Sequence, residues 1–421
     1  MTRLVRVLCR RFWLGALVLI VLLTPATVAY GKTTIVYLGR GGTSEQASYT
    51  KLIEQFEALH PDIDVEINWI PGGTAMVLME RLLVQVAAGV APDVFWTHNY
   101  LSYDLLSLGL VLPLDPLMSN DPDFRITDYY PNALNDYLFN GKLYGLPRET
   151  SSTALYYSID NFNNAGLSAP TIDWTWDTLL EAAKKLTDVN NKRWGLYAPT
   201  THGTTVIMAW QNGGQYFDDT LTQPQFDAPE NVQAFQWIAD LMLTWGVSPK
   251  MGEVNKTTAF NTGQLGMLYD IRGATTNYGT ASVDWDVAPL PKGKQHANRT
   301  ASSGHAICAE TKHPEAAWQL VKWLSGATAQ REFAASGLSV PSMHSVATSP
   351  LFLNPDIKPK SDMVFLDMLQ YARTDQVTRD YFSVVSAIES VLGQLWSGQL
   401  PAATVAQNVN RAVSSILANV K

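Results

Sequence analysis

The sequence predicts an α/β protein built from two or more compact lobes, and three observations carry that expectation. Past the N-terminal stretch, apolar residues alternate between strand-like and helix-like spacing over about a hundred positions. The 421 residues exceed the ~100–200 of a single domain. A composition of 46% hydrophobic, 10% aromatic and 16% charged residues belongs to a folded chain and excludes a disordered one.

In chain order, the basic stretch Met1–Arg11 precedes the apolar run Phe12–Leu23, then Pro25 and the small-residue site Thr27-Val28-Ala29. That is the order of a secretory signal, so residues 1–29 read as a signal peptide and the mature chain as exported, soluble, and periplasmic or extracellular. The apolar run falls short of the ~20 residues a membrane span needs, which disfavours an uncleaved anchor. Cys9 precedes that run, so no lipid-bearing cysteine follows it, and Cys308 alone remains, unable to form an internal disulfide. Its flanks Ala306, Ile307 and Ala309 predict a buried, inert thiol. Without residues 1–29 there are 26 basic and 38 acidic groups, a net charge of −12 that opposes nucleic-acid binding.

Thr33–Leu38 is a β-branched run ending in Gly39-Arg40-Gly41-Gly42. Tyr49, Leu52, Ile53, Phe56 and Leu59 then keep helical spacing until Pro61. Asp64–Trp69 alternates as a second strand. Pro71-Gly72-Gly73 leads into a helix with Met79, Leu82, Leu83 and Val86 on one face, and Asp93–Trp96 reads as a third strand. Strand, helix, strand, helix, strand predicts a mostly parallel sheet with helices on its faces. Ligands then sit beyond the strands' carboxyl ends, here Gly39–Gly42, Trp69–Gly73 and Trp96–Tyr100. A second α/β stretch runs from about 151 to 290, with Thr175 as a helix N-cap and Asp177 favourably placed in the first turn. A strand at Ala306–Ala309 and a helix at His313–Leu324 follow, the latter with Pro314 in its first turn. From Ser361 to Lys421 the pattern is mainly helical.

Signatures of catalysis are absent. The seven histidines form no HExxH pair, no CxxC exists, and Gly39–Gly42 lacks the endings of a dinucleotide fingerprint or a P-loop. No GxSxG elbow occurs. A carboxylate pair set by folding stays open, with Glu45, Glu149 and Asp270 as the acids in suggestive loops. The aromatics say more, since 12 tryptophans remain after Trp13 leaves with the signal. Indole faces suit the C–H faces of sugar rings, and Asp, Asn, Arg and His suit the hydroxyl rim. Trp237, Trp318 and Trp323 lie in helical patterns and read as core, whereas Trp69, Trp96 and Trp210 stand at strand ends or beside glycine turns. Asn255-Lys256-Thr257 and Asn298-Arg299-Thr300 match the glycosylation sequon.

A run of segments in shared order resembles the extracellular solute-binding proteins of carbohydrate ABC importers, the family of maltose- and glycerol-phosphate-type binding proteins. They are Phe56–Ile63, Ala88–Val94, Gly141–Pro147 followed by Ala154–Ser158, Thr175-Trp176-Asp177, Trp285–Pro291 and His313–Trp318. The resemblance implies a two-lobed periplasmic-binding-protein-like fold (type II), hinged, with the ligand in the inter-lobe cleft. It further implies an N-terminal lobe of 32–147 plus 293–341 and a C-terminal lobe of 148–292 plus 342–421. Transferred position by position, the ligand loop falls on Trp96-Thr97-His98-Asn99, with Asn99 where maltose-type relatives often carry Asp. Glu149 falls at the first crossover, and His202 and Trp210 on facing loops of the second lobe. Asp270 and Arg272 lie in a segment lacking the family's usual terminal Trp. His305 stands in the glycine-serine turn, and Arg373 in the C-terminal segment that reaches the ligand.

The expectation is therefore a monomeric binding protein that delivers a sugar or oligosaccharide to the transmembrane permease of an ABC importer, without catalysis, cofactor or metal. Trp69, Trp96 and Trp210 would stack on sugar rings, while Asn99, Glu149, Asp270, His305 and Arg373 would fix hydroxyls; Arg40, Gly41, His98, His202 and Arg272 complete the candidate site. Two rivals of different chemistry stand beside it, and a third reading, a sensory ligand-binding module for a membrane receptor, shares its chemistry. One is a glycerol-phosphate-type ligand clamped by Arg40, Arg272 and Arg373. The other is a secreted glycoside hydrolase using Glu149 and Asp270.

Overall fold

The computed structural model describes residues 32–335, 337 and 339–419, so the signal-peptide reading of residues 1–29 lies outside the described residues. Among these the strands are, in order, β1 (Thr33–Gly41), β2 (Ile63–Pro71), β3 (Val94–His98), β4 (Leu138–Phe139), β5 (Lys142–Leu143), β6 (Leu146–Thr150) and β7 (Thr153–Ser158). They continue with β8 (Trp194–Leu196), β9 (Leu265–Ile271), β10 (Trp285–Ala288), β11 (Asn298–Thr300), β12 (Ser303–Ile307), β13 (Val340–Pro341) and β14 (Ala372–Thr374).

Two sheets define two lobes. The first has the order β13-β6-β12-β3-β1-β2, the second β10-β7-β9-β8. In the first, β2, β1 and β3 are parallel, as the strand–helix alternation predicts. Beyond β3 the sheet turns antiparallel, because β12 and β6 enter it from the lobe boundary and not from βαβ units. The expected mostly parallel sheet is thus a mixed one. The helix Thr43–Leu59 buries Tyr49, Leu52, Ile53 and Phe56, the stripe its spacing predicts, against this sheet. Phe56 is fully buried, so its truncation to Ala would cost about 3–5 kcal/mol. Pro314 opens the helix Pro314–Ser325, which adds Ala317, Leu320, Val321 and Leu324 to the same core. Cys308 is buried there too.

In the second lobe, the Thr175 hydroxyl caps the helix Trp176–Leu186 by accepting from the Thr178 N–H at 3.3 Å. Its last turn carries Lys184 and Lys185, which suit the negative end of the helix dipole. The terminal helices Tyr381–Trp396 and Ala402–Asn419 bury Val384, Ile388, Leu392, Val405 and Val409 in this lobe's core. Among the described residues no helix is long and apolar enough to cross a membrane.

Three chain passages between the lobes lie side by side and are laced together. Asn298 clamps the first to the second: its Oδ1 accepts from the Thr153 N–H at 3.1 Å and its Nδ2 donates to the Thr153 carbonyl at 2.9 Å. Fully buried by this task, Asn298 is no glycan acceptor, whatever its sequon suggests. The Ser151 hydroxyl donates to Ala301 O at 3.1 Å, and β14 pairs in parallel with β11. Chain segments so coupled can bend together without parting, which is what a hinge requires.

Candidate functional site

Strand register assembles one edge of the first sheet. His98 lies opposite Ser303, Ser303 opposite Glu149, and Glu149 opposite Pro341, so residues more than 200 positions apart in sequence form one row. Across from it, β9 ends at Ile271 and hands on to Arg272 and Gly273. Between row and turn lies a cavity of about 310 Å³, lined by His98, Tyr100, Glu149, Thr150, Ser151, Ile271, Arg272, Gly273, Arg299, Ala301, Ser303 and Ser339. The site therefore sits between the lobes, at strand ends.

Each charge in this wall already has a partner. Glu149 is paired with Arg148 (Nη2–Oε1 2.8 Å) and accepts hydroxyl hydrogen bonds from Ser303 and Ser339. Burial opposes its ionisation, but the Arg148 charge and the two hydroxyls outweigh that and hold the carboxyl below its usual range. Arg148 is itself buried, donates to the Tyr49 hydroxyl at 2.9 Å and lies 3.9 Å from the Phe333 ring centroid. Arg272 forms a two-point pair with Asp362, Nε–Oδ1 2.8 Å and Nη2–Oδ2 3.0 Å. Arg299 grips Asp375 Oδ2 through Nε (3.0 Å) and Nη2 (2.8 Å). Asp375 also accepts from the Tyr381 hydroxyl at 2.6 Å. Burial disfavours the Asp375 carboxylate, yet Arg299, His202 and Tyr381 together hold its pKa far below the carboxylate range.

What remains on the wall is neutral. Burial, reinforced by the Arg299 charge, drives the His98 pKa down to about 3, so its ring is uncharged at neutral pH. The His98 ring packs 4.1 Å from Tyr100, and Tyr100 stacks on Tyr381 at 4.7 Å and 16°. Next to them Asn99 is 1% exposed with neither amide atom hydrogen-bonded among the described residues. An orphaned buried amide costs stability unless something arrives to satisfy it.

Of the residues singled out from sequence, His98, Glu149 and Arg272 line the cavity, and Asn99 adjoins it. Arg40, Gly41, Trp69 and Trp96 gather on the neighbouring strand ends of the same edge. There the Trp69 indole lies so close over Gly39 that a Cβ would meet its ring at 2.5 Å, and it donates to Gly41 O. Trp96 is no open stacking platform: it is 3% exposed and Arg40 covers its ring at 4.4 Å. Four others stand away from the cavity wall. Trp210 is buried in the core of the second lobe, on the helix His202–Gln211, with Arg373 over its ring at 5.8 Å. His305 is fully buried behind the sheet, between the Tyr49 hydroxyl (3.0 Å) and Ser325 Oγ (2.9 Å). Asp270 is held by Lys256 (2.7 Å) and the Tyr278 hydroxyl (2.8 Å). His202 is buried beside Asp375, Nε2–Oδ2 3.6 Å, outside the cavity wall. Arg373 itself rides on β14 above Trp210.

Sequence reasoning missed Tyr100, Arg148, Arg299 and Ser339, whereas Ser303 opens the glycine-serine turn that the resemblance places at the cleft. Tyr100 lay inside a strand-end loop already marked as ligand-facing, and that position was the available signal. Arg299 drew notice only as the middle of a sequon, because its partner Asp375 stands 76 residues away.

A family model described as bacterial extracellular solute-binding protein matches residues 41–331. Maltotriose-binding protein of Pyrococcus abyssi is 27% identical over 289 residues, 67% of this chain and 60% of that protein, so the match leaves two-fifths of the relative uncovered. Among solved structures, ABC substrate-binding protein Lmo0181 from Listeria monocytogenes in complex with cycloalternan superposes with a TM-score of 0.79 at 25% identity, covering 92% of this chain and 99% of that one. Sugar-binding protein MalE from Xanthomonas citri gives 0.82 at 22% identity, covering 92% and 98%. The fold likeness extends over both lobes and the cleft between them. With the family model matching more than two-thirds of its length, the chain belongs to the bacterial extracellular solute-binding proteins.

Proposed function

We propose that this protein is the exported binding component of an ABC importer and that it captures an uncharged saccharide in the inter-lobe cleft. The observation that carries this reading is the internal neutralisation of the cleft wall. Glu149, Arg272 and Arg299 each face a partner of opposite charge, leaving hydroxyls, peptide groups, a neutral His98 and the Tyr100 ring to meet a ligand. Hydroxyls of a sugar find donors and acceptors in such a wall, and its C–H face finds an aromatic ring. Within the cavity wall a phosphate would have to take Arg272 from Asp362 or Arg299 from Asp375, stranding a buried carboxylate each time, while Arg40 lies over Trp96 and Arg373 over Trp210 outside that wall. That disfavours the glycerol-phosphate reading.

Turnover is disfavoured as well. Glu149 is held ionised by Arg148 and two hydroxyls, which makes it an acceptor and a poor general acid. Asp270, the other acid of a hydrolytic pair, is engaged by Lys256 and Tyr278. In keeping with the relatives, one bound as a cycloalternan complex and another termed maltotriose-binding, the ligand class we favour is a neutral oligosaccharide. The protein would work as a monomer, in the periplasm or outside the cell, handing its closed form to a membrane permease.

Thermal unfolding with maltotriose, other neutral oligosaccharides and sn-glycerol 3-phosphate tests the reading. Ligand at ~100 times its dissociation constant adds about 2.7 kcal/mol of stability. A shift with a neutral saccharide and none with the phosphate is expected; the reverse pattern removes the saccharide.

A further inference from the structure

Asp136 follows the short helix Pro131–Asn135 of the first lobe and is 1% exposed, yet neither carboxyl oxygen has a hydrogen-bond partner of normal geometry among the described residues. Its side chain faces the lobe crossovers, with Ser302 between β11 and β12, Thr374 at the end of β14, and the Arg299 charge from β11. The other titratable groups facing it are Asp375 just beyond β14, Tyr100 of the cleft loop, and Tyr137 next in the chain. Two carboxyls thus face one guanidinium. Asp375 takes the Arg299 Nε and Nη2 and the Tyr381 hydroxyl, and Asp136 is left without an ion pair.

We propose that Asp136 is a proton-operated strut at the hinge: protonated, it fits the dry junction of the crossovers and favours the arrangement described here; ionised, it favours a displaced junction that admits water and opens the cleft. A buried carboxylate without an ion pair is costly to ionise, and the nearby hydroxyls of Ser302 and Thr374 offset only part of that cost. Movement of the paired strands β11 and β14, which run beside Asp136 at the crossovers, would relieve that cost without unfolding a lobe. Burial is also what raises the Asp136 pKa to about 7, against the easing effect of the Ser302 and Thr374 hydroxyls and of Arg299, so the switch falls within the range an extracytoplasmic protein meets. The inference rests on the ligand-capture reading only for the purpose of the opening; the opening itself is read without ligand.

Small-angle scattering of the ligand-free mature protein at about pH 5.5 and about pH 8.5 tests it, alongside Asp136→Asn and Asp136→Ser. The wild type is expected to have the larger radius of gyration at high pH, and the folded neutral variants to stay compact at both. A wild-type radius independent of pH overturns the proposal whatever the variants do. So does a variant that keeps the wild-type pH response, since the response would then belong to another titrating group. Failure of every saccharide to bind would sink the proposed function and leave this scattering result standing.

Discussion

The ring of Tyr100 lies flat on that of Tyr381, centroids 4.7 Å apart and planes 16° from parallel. Tyr100 comes from the loop after β3 in the first lobe and lines the cleft; Tyr381 begins the penultimate helix, whose body packs in the second lobe. The same turn adds Phe382, edge-on to Tyr100, and the Asp380 N–H, which donates to Asp104 Oδ1 at 3.2 Å. The cleft wall and a lobe-to-lobe contact therefore share one aromatic residue. Ligand contact at Tyr100 and the relative placement of the lobes are coupled through it.

Tyr100→Ala removes both the cleft face and the stack. An aromatic pair contributes about 0.5–1.5 kcal/mol beyond its buried area, so saccharide affinity should fall by roughly two- to tenfold. Tyr100→Phe keeps the ring, loses only the hydroxyl beside Arg299, and should fall less. Titration calorimetry of both variants reads the difference.

Glu149→Gln leaves the Arg148 guanidinium, 4% exposed, with the more distant Glu45 at 3.4 Å as its carboxylate partner. We expect a loss of about 2–3 kcal/mol at neutral pH, below the figure for a wholly dry pair because the Glu149 side chain is 20% exposed. The folded-state pKa of Glu149 is depressed, so its stabilisation is present above the unfolded value of about 4.3 and lost as pH falls through the folded one. Urea unfolding across pH should show wild type and variant converging in acid.

His305→Gln should cost stability without abolishing saccharide binding, because the ring is locked between Tyr49 and Ser325 behind the sheet. Burial, with the nearby Arg148 charge, lowers the His305 pKa well below its ordinary value. Its contribution is accordingly full above pH ~6.5 and declines as pH falls toward the folded pKa. The variant should unfold more easily at pH ~7 and lose part of the wild-type slope below that pH. Unchanged stability with lost binding would instead make His305 a cleft residue.

Much of this molecule was legible from local pattern. The stripe Tyr49–Phe56, the Pro314 helix start and the three strand ends of the first sheet all follow from spacing and from proline and glycine positions. Glu149 and His98 are named through the family resemblance, and strand register, which no local pattern encodes, brings both to the cavity wall. The partners of Trp210, His305 and Asp270 are not legible, because sequence gives a side chain's chemistry and not what it meets. A Trp beside glycines reads the same whether it stacks on a ligand or is roofed by Arg373. The Arg272–Asp362 and Arg299–Asp375 pairs, formed over 90 and 76 residues, are the features that decide the charge of the cleft, and no local periodicity encodes them.

Arg272→Ala tests that neutralisation from the second lobe. It strands Asp362, whose side chain is 4% exposed, and should destabilise by about 3 kcal/mol. Asp362→Asn frees the guanidinium instead, and is the variant in which sn-glycerol 3-phosphate should begin to bind. Melting shifts with that ligand, wild type against variant, provide the check; a wild-type shift as large as the variant's would undo the charge argument.

The most direct measurement of the central claim is titration calorimetry of the mature wild-type protein with a panel of neutral oligosaccharides, maltotriose first, and with sn-glycerol 3-phosphate. One saccharide should bind one protein with a dissociation constant on the order of micromolar, about −8 kcal/mol, and be recovered chemically unchanged. Heat from the phosphate alone, or recovery of shortened saccharide, would contradict the account.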